Sequence, residues 1–194
     1  MKTLPPPTIS RDGLRVISHM RRNALYEIPE NASKFVREDI EKHNERAEKR
    51  AALRKEANAV KNDLNMKAAA AVKVGDVFSM SWGWEQTNVD FFQVVAKVGK
   101  NSVRIRAVNP ALVAESATGP MAADRTYDIP RNGEMLPPCR SSVFIQDQVN
   151  GDVKRVQNSY SNRDEVRPCI KMRSYACAYR EEPGESKHYE SWYA

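Results

Sequence analysis

The chain of 194 residues is short of the residue types that most enzymes and scaffolds depend on. There are only three cysteines, Cys139, Cys169 and Cys177. An odd, sparse set is no disulfide framework and fits a reducing compartment, where buried, inert thiols are the default. Cys139, Cys169, Cys177 and His188 include no Cys-x-x-Cys pair, so no metal site and no cofactor are expected. No Gly-x-Ser-x-Gly elbow and no phosphate-cradling glycine loop occurs. No apolar run approaches the roughly 18 residues of a transmembrane helix. Met1 to Pro7 lacks the apolar core of a secretory signal. No membrane partner is expected, and the location expected is cytoplasmic.

What is present divides near residue 70. Residues 1–70 hold 15 Lys or Arg against 10 Asp or Glu; residues 71–194 hold 16 against 15. Thirteen of the fifteen aromatics and seven of the eight glycines fall in the second part. Alternating charges with Ala, Leu, Lys and Glu build exposed helices; aromatics and turn glycines build β structure. The expected fold is α+β: a charged helical arm over 1–70, then a small antiparallel β-barrel domain over 71–194.

In the arm, Ser10 is a candidate cap for a helix over about 11–27. Val16, Ile17, Met20 and Ala24 would share one side of it. Arg11, Arg15, His19 and Arg22 would form a basic ridge on the other, either a solvated face or a row of phosphate contacts. Pro29 ends that element, and Ser33 can cap a second helix over 33–70. Its apolar stripe is thin and Ala-rich. Acid-first i,i+4 pairs such as Glu45–Lys49 and Asp63–Lys67 support it instead.

In the second part, Val77–Trp82, Phe91–Val98 and Ser102–Val108 read as strands of a meander that closes into a barrel and so removes its edges. Val103, Ile105 and Ala107 fall on one face, with Arg104 and Arg106 on the other. Asn109 to Asp124 reads as an irregular loop, with a short strand at Thr126–Ile129. Asn150-Gly151 reads as a type I′ turn joining strands 143–149 and 152–156. A last strand is expected at 169–173, and the aromatic tail from Glu181 should fold back onto the domain.

Two stretches carry a resemblance: Gly75-Asp76-Val77-Phe78 with Ser81-Trp82-Gly83-Trp84-Glu85-Gln86-Thr87-Asn88-Val89-Asp90-Phe91-Phe92, and Ser174 to Tyr179 with the closing Ser191-Trp192-Tyr193-Ala194. Over roughly 72–194 the chain resembles a family of small uncharacterised proteins from phages, prophages and plasmids. It departs from that pattern at Arg180 to Pro183. The resemblance implies a mobile-element origin, a bacterial host and a small barrel, for which an SH3-like form is expected. It brings no activity.

The candidate binding residues are therefore Arg11, Arg15, His19 and Arg22 on the arm, with Trp82, Trp84, Gln86, Asn88, Arg104 and Arg106 on the barrel. Trp82 and Trp84 would share a face if the strand continued, as a base-stacking platform or as core. Glu85 and Asp90 lack an accompanying nucleophile or histidine, so no catalytic residues are expected. The first expectation is a non-enzymatic protein that binds a host protein or nucleoprotein and inhibits a bacterial defence system. The alternative is direct DNA or RNA binding through the basic helix and a barrel face. The near-neutral charge of residues 71–194 places any electrostatic attraction on the arm.

Overall fold

A computed structural model describes residues 3–9, 16, 19–139, 142–159 and 165–192. The fold is α+β, one long helix followed by a closed six-stranded antiparallel barrel. The chain forms two compact units, Met1–Val60 and Lys61–Ala194. Helix α1 (Lys34–Ala71) runs through the boundary. Among the described residues no helix is long and apolar enough to cross a membrane.

In the first unit, Ser33 caps α1 as its sequence suggests, its Oγ accepting from the Val36 N–H at 3.4 Å. Val36, Ile40 and Ala47 are the buried positions of the stripe. Two short strands, β1 (Thr3–Leu4) and β2 (Leu25–Tyr26), pair in parallel. Asn44 holds β2, accepting from the Tyr26 N–H at 2.9 Å and donating to the Tyr26 carbonyl at 2.8 Å. The expected helix over 11–27 is overturned where it can be seen: residues 19–27 are turn and strand. Asn44 takes the backbone groups of Tyr26 that a helix would have needed.

In the second unit, the barrel consists of β3 (Val77–Trp82), β4 (Asn88–Lys97), β5 (Ser102–Val108), β8 (Asp152–Asn158), β9 (Pro168–Arg173) and β10 (Ala176–Arg180). The order round it is β10-β3-β4-β5-β8-β9. The alternation read from sequence holds. Val103, Ile105 and Ala107 are buried inside with Phe78, Phe92, Val94, Val156 and Ile170. Ala68, Ala69 and Val72, at and just beyond the end of α1, join this cluster, as do Phe144 and Ile145.

Beside the barrel, β6 (Ala111–Gly119), β7 (Ala122–Ile129) and β11 (Gly184–Ser191) form a second sheet, ordered β11-β7-β6. Residues 111–119 are thus a strand where a loop was expected. Their Ala, Ser and Thr composition hides the alternation, because all of β6 is exposed. The tail does fold back, as β11 on β7.

The expected strand at 143–149 is absent. The Asp147 carboxylate accepts from the Val149 and Asn150 N–H groups, and Asp152 accepts from those of Gln146 and Asp147. Those donors are spent on a compact loop and are lost to a ladder. Strand β8 pairs instead with β5 and β9.

Candidate nucleic-acid interface

The outside of the barrel has two sides. Over β3, β4 and β5 the outward residues Val77, Phe91 and Val108 are buried against Ile129 of β7, with Tyr127 and Leu136 packed alongside. Gln93, fully buried there, donates to the carbonyls of Gly75 at 3.0 Å and Glu134 at 2.6 Å. Its Oε1 accepts from the Leu136 N–H at 2.8 Å. One amide thus pins the 134–136 segment to the barrel. Gly75 permits this approach: at φ 95° a Cβ there would lie 2.4 Å from the Gly133 Cα.

Charges on this covered side are matched. Arg125 bridges Glu115 at 2.9 Å and Glu190 at 3.0 Å. The Tyr127 hydroxyl donates to Glu190. Burial first, and Glu190 second, push that phenol up to about 12. Ser79 and Ser186 donate to Glu181, and His188 packs edge-on to Phe91 at 5.3 Å. Ser186 Oγ lies 3.0 Å from His188 Nε2, and Glu181 lies 3.5 Å from the same nitrogen. A nucleophile–base–acid relay needs its acid on the other ring nitrogen, so this cluster is no such relay. Its sequence signal, Ser186 and His188 two apart on one strand face, is legible only once β11 is placed.

The other side, over the outer face of β5, β8, β9 and β10, is not overlaid by the second sheet. Register brings Ser102 opposite Arg155, Arg104 opposite Val153, and Lys171 opposite Cys177. Gln157 pairs with Cys169, and the same register carried back along β8 puts Arg155 beside Lys171. Arg104 lies diagonally from Arg155. Among the described residues no carboxylate pairs with any of the three, although pairs are found for Arg125, Lys154, Arg167 and Arg180. Tyr179, opposite Cys169, is 52% exposed. Gln157 Nε2 donates to Cys177 Sγ at 3.5 Å. Burial, then the neighbouring Cys177, pushes the Cys169 thiol up to about 12, which leaves it protonated and unreactive.

Of the barrel residues singled out in sequence, only Arg104 belongs to this face. Arg106 has the expected outward parity but is spent on structure: it donates to the Leu136 carbonyl at 3.2 Å. Trp82 and Trp84 do not share a face. The strand ends at Trp82, which packs edge-on to Phe144 at 5.4 Å, whereas Trp84 is 89% exposed. Gly83 separates them at φ 133°, and Gln86 is half-buried in the same turn. Asn88 is half-buried, its amide nitrogen without a partner among the described residues. On the arm, Arg11 and Arg15 lie outside the described residues. His19 and Arg22 are exposed but sit on no helix, so they extend no helical ridge. Sequence reading missed Arg155, Lys171 and Tyr179, because only barrel closure sets β8, β9 and β10 side by side.

A cleft of about 460 Å³ in the same unit is lined by Lys73, Asp76, Arg131, Arg180, Glu181 and Glu182, among others. Arg180 is spent there on Asp76 at 3.7 Å and the Ala71 carbonyl at 3.2 Å. Residues 85–90 do not line it. Among the described residues no three His, Cys, Asp or Glu side chains converge as a metal set. No protein-family model, curated protein or solved structure matches the chain.

Proposed function

We propose that this is a non-enzymatic binding protein whose open barrel face takes the phosphates of a nucleic acid. The observation that carries the reading is a set of outward cations on neighbouring strands, Arg104 diagonal to Arg155 and then Lys171, the last two each one residue beyond the Val156–Ile170 pair, with no carboxylate paired to any of them among the described residues. Like charges directly across a sheet oppose folding. A row of them with no compensating acid suits an anionic ligand, whose bound counterions it would release. The bulk charge of residues 71–194 hides this face, because their acids are held largely on the second sheet and in the loops. The test is a salt titration of DNA binding by the full chain. Binding should weaken steeply with salt. Arg155→Glu with Lys171→Glu should lower both affinity and the salt slope, the slope by roughly 0.7–0.9 for each phosphate no longer neutralised. No binding at low salt would end the reading.

A second reading has one specific observation behind it. Trp84 is exposed on a turn whose far end is pinned, Thr87 and Ser191 exchanging backbone hydrogen bonds at 3.1 and 3.0 Å. A preorganised exposed tryptophan is a typical anchor for a protein partner. This supports binding of a protein partner; inhibition of a bacterial defence system by a mobile-element protein would be one such role, and it rests on the resemblance alone. Capture of a stoichiometric protein partner that Trp84→Ala abolishes and Arg155→Glu leaves intact would favour it over nucleic-acid binding.

A further inference from the structure

We propose that the nucleic acid taken by the open face is single-stranded, with a base stacked on Tyr179; this rests on the reading of that face as a phosphate-binding surface. Three features of the face point to a strand and away from a duplex.

The first is shape. The face is the outside of a closed barrel, so it is convex and built only of strands. A duplex is itself a convex cylinder, and among the described residues the face carries neither a helix nor a free two-stranded ribbon to enter its major groove. A single strand is flexible enough to follow the curvature.

The second is spacing. Arg155 and Lys171 occupy one cross-strand row, and Tyr179 occupies the next, opposite Cys169. Rows of outward residues on one strand are about 7 Å apart and neighbouring strands about 4.8 Å apart, so Tyr179, one row along and one strand across, lies about 8 Å from Lys171 on the diagonal. That is close to the phosphate-to-base reach of a single nucleotide. A backbone phosphate on Arg155 and Lys171 would bring its unstacked base over Tyr179.

The third is the character of the aromatic. Tyr179 is 52% exposed on the sheet surface, so about half of it is open to solvent. Its neighbours across the strands, Cys169 and Ser79, are buried and small, and cannot shield it. At the β9–β10 turn, Tyr175 is 79% exposed, its hydroxyl 3.5 Å from Arg173 Nη1. It offers a second ring along the same path. A basic track beside exposed rings is the arrangement by which single strands are held without sequence preference.

The experiment uses the full chain and three labelled probes: an oligothymidylate, its duplex with oligodeoxyadenylate, and inorganic polyphosphate. Fluorescence anisotropy reads affinity at fixed salt. The expected order is oligothymidylate tightest. Tyr179→Ala should weaken oligothymidylate on the order of five- to a hundredfold, the loss of one stacked base. It should leave polyphosphate unchanged, and Tyr179→Phe, which keeps the ring, should restore binding. Duplex binding as tight as single-strand binding would overturn the inference. So would an oligothymidylate affinity indifferent to Tyr179→Ala in protein whose circular dichroism is unaltered. If every probe binds in an Arg155- and Lys171-dependent way but Tyr179 is silent, stacking fails and the phosphate-binding face stands. If no probe binds at low salt, both fail.

Discussion

The two sides of the barrel exterior arise from one alternation of side chains and are finished in opposite ways. On β3 and β4 the outward residues include Val77 and Phe91, and a second sheet buries them. On β8 and β9 they include Arg155 and Lys171, and both are exposed. The carboxylates of the covered side have partners in the fold: Glu190 has Arg125 and Tyr127, and Glu181 has Ser79 and Ser186. Of the outward cations on the open side, Arg173 donates to the Val143 carbonyl at 3.0 Å, whereas Arg104, Arg155 and Lys171 have no carboxylate partner among the described residues. Matched charge and buried carbon mark a surface that serves stability; unmatched charge of one sign marks a surface left for a ligand.

The sharpest way to break this comparison is to truncate one residue on each side. Phe91→Ala should cost about 3–5 kcal/mol, since it removes a buried ring that meets Tyr127 at 4.7 Å and His188 at 5.3 Å. Arg155→Ala should move stability by less than about 0.5 kcal/mol, as exposed substitutions do. Chemical denaturation of the two variants reads both. Equal losses would mean that the open face is structural after all.

A smaller effect is expected where the chain leaves the barrel between its two tryptophans. At φ 133°, Gly83 occupies backbone space that side chains rarely enter, and a Cβ would lie 2.1 Å from the Gln86 carbonyl oxygen. Gly83→Ala should cost roughly 1–3 kcal/mol. It should also release Trp84, which a red shift or quenching change in tryptophan fluorescence would report. A variant as stable as the parent would show that the turn is not what holds Trp84 apart from Trp82.

How much of this was legible beforehand follows from what each element depends on. Val77–Trp82 and Ser102–Val108 match the strands read from sequence residue for residue, because half-buried strands write their alternation into polarity. Helix α1 begins one residue past its Ser33 cap, because a cap is local chemistry. Thr126–Ile129 was legible as the second half of β7, but β6 was not, because an all-exposed strand carries no such pattern. At Asn150-Gly151 the left-handed glycine is present, at φ 80°, but side-chain carboxylates outbid the hairpin ladder. The open face depends on closure between strands far apart in sequence, so only Arg104 of its three unpaired cations could be read in advance.

The least expected effect tests the covered-versus-open distinction at a residue that obeys neither side. Asp90 points toward Trp82 and Ser142, with Ser142 Oγ donating to its carboxylate at 3.2 Å. Among the described residues no cation partners it. Burial, helped by the charge of Glu190, raises its pKa above the usual carboxylate range; the nearby Trp82 indole, whose N–H makes no hydrogen bond among the described residues, and the Ser142 hydroxyl offset only part of that. The sign of the pH dependence follows. A carboxyl raised in the folded state binds its proton more tightly folded than unfolded. Stability therefore falls as pH climbs from the unfolded pKa through the raised folded one, and stays lower above it. Asp90→Asn keeps an acceptor for Ser142 and removes the charge. It should leave stability near pH 3 unchanged and raise it at pH 7, by less than about 1 kcal/mol because the site is only partly buried. Thermal melts at the two pH values measure this. A loss of stability at pH 7 would mean that the ionised carboxylate is held by a compensation not visible among its neighbours, and that the barrel interior, like the covered side, matches its charges.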